Sequence, residues 1–345
     1  MSIWHDSIRH CDDGHYEVAI PFVQYPPDLV NNIDVAKQRL RGLKARLTRD
    51  VDLRAMYNDS MQILLENNFA EEVPSAEINL TPVWYLPHHA VVSSNKPGKV
   101  RVVFDCSAKH CGKSLNDVVM QGPDLTNKLV GVLLRFRQGS VAIMADIQSM
   151  FHQVRVTSRD RDLLRFLWWR DGDLDSEPLE YRMKVHLFGG VWSPSCCNFV
   201  LRQTAEDHKD RYHQEVVDTI INNFYVDDCL KSVDSVERAV CIVQQMCRLL
   251  NSGGFRLTKW ISNSRGVMTT IPEEDWSTGV KSLDLQHHAL PVERALGVRW
   301  DVETDTLSFA TCMKQKLMTR RGMLSIVSSV FDPLGFLNPF ILPAK

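Results

Sequence analysis

The chain has 345 residues, 44% hydrophobic and 24% charged, with 17 Gly and 15 Pro, a composition that buries a sizeable core and excludes a disordered, collagenous or low-complexity protein. Lys plus Arg total 40 against 42 Asp plus Glu, a formal charge of -2, so no global basic signature marks a nucleic-acid partner and any such surface must be local. The apolar stretches fall short of the roughly 20 residues that span a bilayer, and the cysteines, with no regular framework or preceding signal peptide, fit a reducing, intracellular compartment.

Over residues 34–50, Lys37, Arg39, Arg41, Lys44, Arg46 and Arg49 alternate with Val35, Leu40, Leu43 and Leu47 at helical spacing. This predicts an amphipathic helix whose cationic face is either plain solvated surface or a contact for phosphates. A second helix is expected over 51–67, then an extended stretch over 74–82. Strand signals cluster at 83–86, 89–93 and 99–104, the last two joined by the turn Lys96-Pro97-Gly98. Cys106, His110 and Cys111 lie close together, but no paired Cys-x-x-Cys elements complete a four-ligand zinc site. Gly122-Pro123-Asp124 leads into a helical pattern through Arg137, stopped by Gly139. Residues 140–145 then form a short apolar run suited to a buried strand, which delivers Asp146 at its C-terminal end.

Further on, residues 160–164 read as a helical turn, and 165–169 and 179–185 as hairpin arms across a polar loop. Ser193-Pro194 opens a helix over 195–211. The apolar runs 220–226 and 229–233, separated only by Asp227-Asp228, predict a tight strand-turn-strand. A helix over 236–250 ends at Gly253-Gly254, and 255–261 begins another hairpin. Strands at 294–301 and 306–310 precede a helix over 314–330. Helices intermixed with hairpins favour an α+β fold over a doubly wound parallel sheet.

Asp146, Asp227 and Asp228 can converge if their strands are neighbours. Carboxylates packed together repel, so such a cluster is stable at neutral pH when protonated or neutralised by divalent cations. Magnesium suits it, because a hard ion prefers carboxylate, water and phosphate oxygens. Two such ions roughly 3.5 to 4 Å apart activate an attacking hydroxyl and stabilise a leaving pyrophosphate. Alone, Tyr225-Val226-Asp227-Asp228 is weak, since paired aspartates are common in solvated turns.

Further segments in the same order carry a resemblance: Asp13-Gly14-His15-Tyr16, Trp84-Tyr85-Leu86-Pro87-His88-His89, Val100-Arg101-Val102-Val103-Phe104-Asp105, Ser114-Leu115-Asn116-Asp117, Gly122-Pro123-Asp124-Leu125, Arg165-Phe166-Leu167-Trp168 and Phe331-Asp332-Pro333-Leu334-Gly335. Over nearly its whole length the chain resembles the reverse transcriptase region of long-terminal-repeat retroelements, and more closely that of BEL/Pao retrotransposons. The resemblance implies a right-hand polymerase fold: an N-terminal helical segment over 1–80, fingers and palm over 81–264 with an antiparallel palm sheet backed by helices, and a thumb- or connection-like segment over 265–345. That last segment also resembles the start of a Pao peptidase-associated region, although no proteolytic constellation is visible in it.

The same resemblance implies site roles. Asp146, Asp227 and Asp228 match the catalytic, metal-holding aspartates, with two Mg²⁺ ions or Mn²⁺ in their place. Lys96, Lys99, Arg101 and Gly189 match contacts to the incoming nucleotide. Phe151 matches an aromatic beneath the sugar that would collide with a 2′-hydroxyl; a core phenylalanine is its alternative. Tyr225, Lys259 and Trp260 match contacts to primer and template, the last two within a primer-grip hairpin over 255–263. The implied partners are an RNA or DNA template with its primer and deoxynucleotides, together with RNase H and integrase parts outside this chain, and the implied location is a cytoplasmic virus-like particle. No membrane partner is expected. A catalytically inactive, transposon-derived nucleic-acid-binding protein is the alternative function. An aspartic protease loses ground because no Asp-Thr-Gly or Asp-Ser-Gly occurs.

Overall fold

The computed structural model describes residues 2–92, 100–281, 283–285, 288–308 and 319–342. Two compact units result, neither of them a continuous stretch: one combines Met1–Leu125 with Ser149–Val200, the other Thr126–Gln148 with Leu201–Lys345. The borders expected at 80 and 264 both fall inside a unit. Helices and mainly antiparallel sheets are intermixed throughout, an α+β architecture.

In the first unit, the cationic helix spans Ile33–Arg49 and buries Ala36, Leu40, Leu43 and Leu47. Helix Val51–Glu66 follows directly, its first turn closed by the Asp50 carboxylate accepting from the Leu53 amide at 2.9 Å. Strands His88–Val92 and Val100–Phe104 form the expected hairpin, in register from His88 opposite Phe104 to Val92 opposite Val100; the Lys96-Pro97-Gly98 turn lies outside the described residues. Arg165–Trp168 pairs with Leu179–Met183, as the hairpin reading expects, and Ala70–Glu72 adds a third strand. Residues 83–86 do not form a strand of their own; Tyr85 makes only an isolated bridge to Arg165. That arginine is fully buried, held by Asp162 at 2.8 Å, Glu180 at 3.0 Å and the carbonyls of Glu77 and Ile78, so a charge inside the unit is paired and hydrogen-bonded on every side.

The second unit is built on a four-stranded antiparallel sheet in the order Phe224–Tyr225, Asp228–Val233, Val141–Ile147, Leu257–Ser262. Val141–Ile147 is central and nearly all buried, which explains its apolar run. Helix Val236–Asn251 lies against it and its neighbour, burying Ala239, Ile242, Val243, Met246, Leu249 and Leu250. Gly139 lies so close to the backbone of Val233 that a β-carbon would collide with it, and its amide donates to Ser232 Oγ at 2.9 Å.

Three expectations change here. The helix expected after Gly122-Pro123-Asp124 is confined to Leu129–Arg135. Residues 220–222 belong to helix Gln214–Asn222, where Val216, Val217 and Ile220 face inward at helical spacing, so the strand before the aspartate turn shrinks to Phe224–Tyr225. The stretch expected to open a hairpin at 255–261 is instead the edge strand Leu257–Ser262, which pairs with Val141–Ile147. Beyond it, Val292–Ala295, Val298–Asp301 and Thr306–Ser308 form a three-stranded meander. The meander is tied to this unit by Arg137, whose guanidinium grips Asp305 at 2.6 and 2.9 Å, and by Phe136 packed edge-on to the buried Trp300. Of the helix expected over 314–330, residues 314–318 lie outside the described residues, and Arg320–Val327 is helical.

Candidate active site

One row of paired residues crosses all four strands of the second unit's sheet. Tyr225 lies opposite Asp228, Asp228 opposite Asp146, and Asp146 opposite Thr258. Directly paired residues project to the same face, so Asp146 and Asp228 share one. Successive side chains on the central strand alternate: Ile143, Ala145 and Ile147 are buried, while Met144 and Asp146 are half-buried. Asp227 stands in the two-residue loop between Tyr225 and Asp228, and its carbonyl accepts from the Ile147 amide at 2.9 Å, which fixes the loop to the end of the Asp146 strand.

The loop is braced from behind. Asn223 Nδ2 donates to the Leu230 carbonyl at 2.7 Å, and Asn127 Nδ2 donates to the carbonyls of Ile221 and Phe224 at 2.9 and 2.8 Å. Phe224, Cys229 and Leu230 beside it are buried. Val226, the first loop residue, has φ +57°, a left-handed conformation that β-branched residues rarely adopt.

Electrostatically the site is crowded with negative charge. Burial, reinforced by the neighbouring Asp227 and Asp146 carboxylates, pushes Asp228 up to about 7. Lys259 opposes this, its Nζ lying 2.7 Å from Asp146 Oδ1. The pairing of the edge strand shifts by one residue between Thr258 and Ile261, and Lys259, at φ +55°, sits in that bulge.

The donor set suits a hard divalent ion, since aspartate oxygens are its preferred ligands, and the Lys259 ammonium is a cation already standing against one of them. Among the described residues no three His, Cys, Asp or Glu side chains are drawn together into a closed metal cluster.

The structure thus gathers Asp146, Asp228, Tyr225 and Lys259, with Asp227 in the adjoining loop. Arg101, Phe151 and Gly189 lie in the other unit, and Lys96 and Lys99 lie outside the described residues. Arg101 is exposed on the hairpin strand Val100–Phe104. Phe151 is 7% exposed and packs 4.4 Å, centroid to centroid, from the exposed ring of Phe188. Gly189 has φ +103°, and a β-carbon there would meet the Phe104 carbonyl oxygen at 2.6 Å, so packing within its own unit already requires glycine. Trp260 is 1% exposed, its ring buried against the core beside the edge strand. Sequence reasoning missed Thr258, the end of the row, and the bulge that turns Lys259 toward Asp146; no residue type at that point announces a bulge.

No family model and no curated protein sequence matches the chain. Among solved structures, it is similar to a foamy viral protease-reverse transcriptase in complex with double-stranded DNA, with a TM-score of 0.52 and 16% identity, over 83% of this chain. A second structure of the foamy viral protease-reverse transcriptase with double-stranded DNA gives a TM-score of 0.46 at 16% identity, covering 86% of this chain and 48% of the other. The first of these likenesses shows a fold of the reverse transcriptase type. The chain spans 42% of the length of the first of these proteins.

Proposed function

We propose that this chain is the polymerase segment of a retroelement reverse transcriptase, of the BEL/Pao type that its motifs resemble, and that it extends a primer 3′-hydroxyl with deoxynucleotides on an RNA or DNA template. The observation that carries this reading is the row placing Asp146 opposite Asp228, with Asp227 in the loop pinned to the same strand end. Asp146 and Asp227 would hold magnesium, and Asp228 would complete the acidic wall. The metal, when bound, would supply the charge stabilisation that phosphoryl transfer requires. The rigid sheet fixes where the carboxylates stand, and the Asn127 and Asn223 braces keep the loop from moving away.

Primer extension on a homopolymer template tests this. The chain should incorporate deoxynucleotides only with divalent metal, and Asp146→Asn or Asp227→Asn should lower the rate by about a thousandfold or more, the scale of two-metal charge stabilisation. Near-parental extension by either variant sinks the assignment. Template binding by a parent protein that never extends a primer would favour the nucleic-acid-binding alternative.

A further inference from the structure

In a regular strand the residue after Thr258 would project to the face opposite Asp146, because side chains alternate. The bulge between Thr258 and Ile261 breaks that alternation, and Lys259, in the left-handed region at φ +55°, is brought to Asp146 instead. Such a backbone is unfavourable for a lysine, so the placement is imposed by its surroundings. Those surroundings are firm: Leu257 and Ile261 are buried, Trp260 is buried and bridges Trp276, and the Ser277 amide donates to the Trp260 carbonyl at 2.9 Å. The lysine side chain itself is 58% exposed while its Asp146 partner is 17% exposed, so the ammonium can swing into water without disturbing the strand.

We infer that Lys259 is a tethered counter-cation for Asp146, which neutralises the carboxylate in the metal-free protein and must be displaced before a divalent ion can use that oxygen. The inference deepens the polymerase reading and rests on its metal site. An ammonium 2.7 Å from Oδ1 occupies a position that a metal would need, so the apparent metal affinity is the intrinsic affinity scaled by the fraction of molecules with the pair open.

The test is Mn²⁺ binding, followed by the loss of the free-ion electron paramagnetic resonance signal, to the full chain without nucleotide or nucleic acid. Parent, Lys259→Met, Lys259→Asn and Lys259→Arg are compared, Asn because it tolerates this backbone. Both neutral variants should bind Mn²⁺ roughly two- to fivefold more tightly than the parent, the range expected for a part-exposed ion pair. The arginine variant, still cationic, should gain nothing. Unchanged or weaker binding by the neutral variants, beside a parent that does bind, overturns this inference alone. If neither the parent nor the variants bind Mn²⁺, the metal reading falls with it.

Discussion

Val226 holds the strained position of the aspartate loop. A β-branched residue at φ +57° costs on the order of 1 to 3 kcal/mol, and the hydrogen-bonded partners on either side leave it no alternative. Val226→Gly should therefore raise stability by about 1 kcal/mol, the relieved strain outweighing the extra entropy glycine gains when unfolded. Denaturant unfolding followed in the second unit checks this, and a destabilised variant would mean that the valine side chain contributes more by packing than its backbone loses. The same residue shows what a sequence conveys at this scale. Asp146 and the Asp227-Asp228 pair are legible as acids beside apolar runs. Neither left-handed conformation is legible from residue type: at Val226 it is set by the two-residue turn between Tyr225 and Asp228, in which a valine is unusual, and at Lys259 by pairing with a strand distant in the chain.

At the scale of elements, helix Ile33–Arg49 presents Lys37, Arg39, Arg41, Arg46 and Arg49 to solvent, with Lys44 half-buried. Among the described residues none of these six forms an ion pair with an acid, although such pairs abound elsewhere in the first unit, as at Arg182 with Glu71 and Glu77. Unneutralised cations along 17 residues suit a row of phosphates. Reversing charge with Arg39→Glu and Lys44→Glu should weaken template-primer binding and flatten its dependence on salt by about one unit of log-log slope for each phosphate that is no longer neutralised. An unaltered salt slope would return the helix to plain solvated surface. Periodicity revealed this helix to within a residue or two, as it did Val236–Asn251, since apolar spacing is a local property. It failed over 220–222, where the same apolar residues serve a strand or a helix equally well and the packing of Val216, Val217 and Ile220 decides.

At the scale of the whole molecule, acid should act on the first unit through buried histidines. His88 accepts from the Tyr57 hydroxyl at 2.5 Å and donates to the Leu167 carbonyl at 2.9 Å. His186 accepts from Trp192 Nε1 at 2.9 Å. Burial holds His88, His152 and His186 each down to about 4, against an ordinary 6.5. Between those values the unfolded chain binds more protons than the folded one, so stability is fully present above pH 6.5 and is lost as the pH falls toward 4. Hydrogen exchange in strand Arg165–Trp168 should accelerate, after correction for intrinsic rates, between pH 7 and pH 5. Constant protection over that range would show that these rings are not held neutral.

The interleaving of the two units shapes how the chain can be made. Strand Val141–Ile147 leaves the ribosome some eighty residues before Asp228–Val233 and more than a hundred before Leu257–Ser262, the strands that flank it in the finished sheet. At translation rates of about 5 to 20 residues per second, the most apolar strand of the second unit, with both edges open, waits several seconds for its neighbours. During that interval residues 149–200 must join the first unit instead. An unpaired hydrophobic strand is a template for pairing with another chain, so the nascent protein is most exposed to aggregation at the very segment that later carries Asp146, and a chaperone that shelters that strand would serve its synthesis most.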